Sequence, residues 1–99
     1  MERKYNIVLH APLGLRLGQL ALTQQGGRLE GTLSVLGTAN PVSGAITPSG
    51  AMALTGTLTT KLITFPFTAT GAAVGKTLEL QVTGGRYAFR LTGEEMEEE

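Results

Sequence analysis

The sequence predicts an all-β fold, an eight-stranded antiparallel up-and-down barrel, on three observations. Apolar and polar residues alternate through most of the 99 residues, which is the period of a strand with one buried face. Turn-forming residues recur at short, even intervals. No stretch carries the 3.6-residue period of a helix. A β-sandwich or an OB-like barrel would share this pattern. Closure is favoured because Gly31, Gly44 and Gly56 fall on the inward face of three successive strands, where they permit strong coiling. Closure also removes sticky strand edges.

The elements follow in order. Residues 4–10 form the first strand, with Tyr5, Ile7 and Leu9 on one face and Asn6, Val8 and His10 on the other. Pro12 and Gly14 break it. In residues 15–23 the apolar positions switch from odd (Leu15, Leu17) to even (Leu20, Leu22), which predicts a bulge at Gly18-Gln19. Gly26-Gly27 turns the chain into residues 28–36, with Leu29, Gly31, Leu33 and Val35 inward. Residues 37–41 read as a loop before the strand marked by Val42, Gly44 and Ile46. The turn Thr47-Pro48-Ser49-Gly50 has Pro early and Gly late, as a type I turn prefers.

Residues 51–59 place Met52, Leu54, Gly56 and Leu58 on one face; the other, Ala51, Ala53, Thr55, Thr57 and Thr59, has no charge. In residues 62–70, Ile63, Phe65 and Phe67 point inward, and Pro66, which cannot donate to a ladder, predicts a bulge or an edge. Residues 71–76 read as a loop. The last hairpin runs Leu78, Leu80, Val82, then a Gly84-Gly85 link, then Tyr87, Phe89 and Leu91. A weak internal repeat sets Leu20-x-Leu22-Thr23-x-Gln25-Gly26 against Phe65-x-Phe67-Thr68-x-Thr70-Gly71, and Leu29-Glu30 against Leu78-Glu79.

Length allows one domain, expected over residues 1–93, with a disordered acidic tail at 94–99. There is no Cys, no Trp and no Asp. Residues 1–93 hold all eight Lys/Arg against Glu2, Glu30 and Glu79, a net +5, and the tail's five Glu return the chain to zero. No cysteine means no disulfide or thiolate metal site, and no apolar run approaches the ~20 residues of a spanning helix. With no leader-like apolar segment after Met1, the expectation is a soluble cytoplasmic protein.

Candidate chemistry is sparse. Acid–base catalysis needs a positioned His or paired carboxylates. The body offers His10 alone, without a second ligand at metal spacing, and Glu30 and Glu79 on outward faces in different halves. These carboxylates are expected to pair with Arg28, Arg86 or Arg90 across the ladders. The glycine spacings lack the strand-to-helix context of a phosphate loop. The expectation is therefore a non-enzyme, with no catalytic residue, metal or cofactor. Single-stranded nucleic-acid binding, a further alternative, needs aromatics beside basic groups. Tyr87 and Phe89 alternate with Arg86 and Arg90, which puts them on opposite faces.

Pro12-Leu13-Gly14 followed by the strand Leu29-Glu30-Gly31-Thr32-Leu33 resembles lipocalin- and avidin-like small barrels, and bacterial domains built on such a Pro-x-Gly turn and Leu-x-Gly-x-Leu strand. The likeness covers about residues 4–93. It implies a barrel with small-molecule binding or oligomerisation. The Gly-x-Trp signature of lipocalins and the ligand-stacking tryptophans of avidins have no counterpart here, so no site residue is carried over. Read from the faces alone, a small apolar ligand inside the barrel would be lined by Tyr5, Met52, Phe65, Phe67, Tyr87 and Phe89. The alternative is a filled barrel that assembles with its own copies through Val8, Ala51, Ala53, Thr55 and Thr57, with Leu36 beside them.

Overall fold

A computed structural model of the chain describes residues 2–11, 14–35, 37–59, 64–85 and 87–96; the side chains of Ala11 and Tyr87 lie outside that description. Eight strands follow one another: β1 (Glu2–Ala11), β2 (Gly14–Gln25), β3 (Arg28–Val35), β4 (Thr38–Ile46), β5 (Ala51–Thr59), β6 (Thr64–Val74), β7 (Thr77–Gly84) and β8 (Tyr87–Glu95). Each pairs antiparallel with the next, and β8 pairs with β1, so the sheet is a closed up-and-down barrel.

The registers fix its dimensions. Partners can be followed from Glu2 through Thr23, Glu30, Ser43, Thr55, Thr68 and Thr83 to Ala88. Ala88 lies two residues before Arg90, the partner of His10, so the circuit returns to β1 ten residues beyond its start. Eight strands with that stagger tilt by about 40° on a barrel of about 8 Å radius. Side chains from opposite walls meet at the axis of so narrow a barrel.

Alternation fills it. Tyr5, Ile7, Leu9, Leu20, Leu22, Leu29, Leu33, Leu54, Leu80 and Leu91 belong to one buried apolar cluster, with Phe65 and Phe89 packed at its margin. At Gly31 and Gly44 the wall coils so tightly that an added Cβ would run into the Ala21 and Ala53 carbonyl oxygens respectively. Apolar-in, polar-out order is the reverse of a membrane-spanning barrel.

Several expected boundaries move. The β1–β2 ladder runs without interruption past Gly18 and Gln19, and the β2–β3 ladder pairs them in order with Val35 and Ser34, so there is no bulge. Parity holds, and Leu15 and Leu17 point outward, 63% and 78% exposed. The expected loop at 37–41 is shorter, because Thr38 already pairs with Val35 and Asn40 with Leu33. The expected loop at 71–76 shrinks likewise, since β6 continues to Val74 opposite Thr77. Gly84 pairs with Tyr87, which shifts the last link one residue on, with Gly85 at φ +57°. Glu94 and Glu95, expected in the tail, lie in β8 opposite Asn6 and Tyr5, because backbone pairing takes no account of side-chain charge. Pro66 is unbulged opposite Thr57; the β6–β7 ladder begins only at Thr68, so no neighbour on that side requires its missing N–H.

The repeat is real in register but differs in alignment. Apart from the end pairs Ala11↔Gly14 and Gly18↔Val35, adding 49 to both members of a pair in the first three ladders gives pairs of the β5–β6, β6–β7 and β7–β8 ladders, as Tyr5↔Leu20 becomes Leu54↔Ala69. Leu29-Glu30 maps onto Leu78-Glu79 and Gly44 onto Gly93, and the turn glycines Gly26 and Gly75 share φ +62°. Leu20 therefore matches Ala69, four residues from the expected Phe65. The halves differ at their junctions: Val42 pairs with Gly56, whereas its equivalent Leu91 pairs with Leu9, two residues further along.

Candidate functional site

Three places on this frame could carry a function: the interior, one end of the barrel and the outer wall. Inside, Tyr5, Met52 and Phe67 are buried in the core, and Phe65 and Phe89 are half-buried against it. The side chain of Tyr87, the sixth expected lining residue, lies outside the described residues. The described aromatics thus turn inward, away from Arg90, whose guanidinium lies 4.0 Å from the Glu79 carboxylate on the outer surface. That ion pair spans the β7–β8 ladder, as the alternation required. Arg86 and Leu36 lie outside the described residues.

At the end where β3 turns into β4, Asn40 is buried, 2% exposed. Its Nδ2 donates to the Leu33 carbonyl at 3.0 Å, and its Oδ1 accepts from the Thr59 N–H at 3.0 Å. The Thr38 hydroxyl donates to the Thr59 carbonyl at 2.7 Å. The β4–β5 ladder runs only from Ile46↔Met52 to Val42↔Gly56, so two side chains continue it where the backbones part. Asn40 was missed in the sequence because Gly37-Thr38-Ala39-Asn40-Pro41 has the composition of a turn.

The outer wall has two parts. Over β4, β5 and β6 the outward residues are Ala39, Pro41, Ser43 and Ala45, then Ala51, Ala53, Thr55, Thr57 and Thr59, then Thr64, Pro66, Thr68, Thr70, Ala72 and Val74. None of them is charged. The four β5 residues expected on an assembly face lie in the middle of this wall, and the ladders extend it to both neighbours. Val8 is elsewhere: its row passes through Thr92, Glu79 and Ala72 before reaching Ala51, so β8, β7 and β6 intervene.

Val8 lies instead in an open depression of about 940 Å³ that straddles the β8–β1 junction. Leu17, 78% exposed, flanks one side and Val74, 70% exposed, the other; Thr92 and Glu79 lie between them. His10 Nε2 and Thr92 Oγ1 are 3.0 Å apart beside it. The Leu15–Leu17 parity change in the sequence was its one signal, and it pointed to an exposed face, not to a bulge.

No set of three His, Cys, Asp or Glu side chains among the described residues could hold a metal ion. Glu30 and Glu79 occupy equivalent positions of the two half-barrels, with Glu30 beside Thr23 and Ser43 and Glu79 beside Ala72 and Thr92. They do not converge. Compared with protein-family models, curated proteins and solved structures, the chain matches none.

Proposed function

We propose that the protein is a non-enzymatic interaction module, a filled barrel of the lipocalin- and avidin-like kind, that assembles with further copies of itself. The observation that carries this reading is the uncharged wall of β4, β5 and β6. A two-fold contact sets a patch against itself, so any charge near the axis meets its own like. Small uncharged Ala and Thr side chains avoid that repulsion and let two sheets approach closely. A barrel this small also gains buried surface by assembling. The buried cluster supports a filled interior, since Tyr5, Met52 and Phe67 already pack within it. A chain without cysteine suits the reducing cytoplasm.

The test is the solution mass. Sedimentation or light scattering at about 50–100 μM, where a contact of ordinary affinity saturates, should give a multiple of the 10.4 kDa chain. Ala53→Glu, at the centre of the wall, should return the mass of one chain while keeping the β circular dichroism of the parent. A parent monomeric at that concentration refutes the proposal, as does an Ala53→Glu variant that still assembles.

A further inference from the structure

Among the described residues, the hydroxyl of Tyr5 is a buried polar atom that the packing does not account for. Tyr5 is 0% exposed, and its hydroxyl has no hydrogen-bond partner among the described residues. Buried hydroxyls are almost always bonded, and a buried tyrosine usually finds a partner for its O–H. Volume alone does not explain the residue, because Phe65, Phe67 and Phe89 supply the same ring to the inward face without the oxygen. Tyr5 also sits where the two half-barrels meet, opposite Leu20 on β2 and Glu95 on β8, with Gly93 beside its Cβ.

We propose that the Tyr5 hydroxyl anchors a small enclosed site in the barrel that takes one compact, uncharged hydrogen-bonding group. The group is either a water molecule or the hydroxyl or carbonyl of a small apolar molecule. Its lack of charge follows from the surroundings: Ile7, Leu20, Leu22, Leu54, Leu80 and Leu91 belong to the same buried cluster, and an ion among them would be unpaired. Its small size follows from the bore, which facing side chains nearly fill. The site does not depend on the assembly reading, since Tyr5 points away from the outer wall.

The test uses the full chain and the Tyr5→Phe variant. If the hydroxyl has a bound partner, removing it should lower the folding equilibrium constant about five- to tenfold in denaturant titration. If the oxygen is bare, its removal relieves a burdened core, and a variant equally or more stable than the parent overturns the proposal. A second readout does not depend on how the variant folds. Native mass spectrometry of the parent under gentle desolvation separates the sources: an added mass that is lost on unfolding marks a small molecule. A bare mass accompanied by a water–Tyr5 nuclear Overhauser effect marks a water. A bare mass without that effect refutes the site.

Discussion

Among the described residues, Asn40 and Tyr5 are both buried with a polar group, and the barrel treats them differently. Asn40, at one end, uses both ends of its amide, on a β3 carbonyl and a β5 N–H, and so extends the sheet where the backbones separate. Tyr5, on β1, inserts a hydroxyl into a core whose described residues offer it no hydrogen-bond partner. The difference shows that burial of a polar group is compatible with two roles. One closes the protein's own hydrogen bonds; the other leaves a valence for something that is not the protein.

That contrast can be broken in graded steps. Leu80→Ala, in the apolar cluster that holds Tyr5, sets the scale at about 3 kcal/mol lost, the usual cost of a cavity in a packed core. A loss below about 1 kcal/mol would mean the interior is looser than its burial implies. Asn40→Leu keeps volume but takes the side-chain donor from the Leu33 carbonyl and leaves the Thr59 N–H without its acceptor, and should cost about 2 kcal/mol. Faster amide exchange at Thr59 would locate the damage; an unchanged Thr59 would deny Asn40 its bridging role. Thr38→Val removes the hydroxyl that donates to the Thr59 and Val35 carbonyls and accepts from Asn40 Nδ2, and should cost about 1 kcal/mol, since the bond to Thr59 is exposed to water. Tyr5→Phe should be comparable in size, about five- to tenfold in the folding constant, and its sign is what matters.

The barrel was legible because alternation is strict along Leu78-Glu79-Leu80-Gln81-Val82 and the turns are marked by glycine. What misled was chemistry that does not respect the alternation. Leu15 and Leu17 are leucines on a solvent face, and hydrophobicity alone assigned them to the core. Asn40 and Pro41 look like a turn, yet one replaces ladder bonds and the other lies outward in the sheet. The uncharged wall was legible only on β5, because its neighbours are set by register. The depression at the β8–β1 junction was not legible, since it joins residues from opposite ends of the chain.

The same junction governs how the molecule must form. Every other ladder is a hairpin that closes across a short link, whereas the His10–Thr92 contact joins residues 82 apart. Closing so long a loop costs entropy before any contact is gained, so the circle is completed late and slowly. Until then β1 and β8 are bare edges able to pair with another chain. Refolding yield should therefore fall as protein concentration rises, even if the finished barrel offers no edge at all.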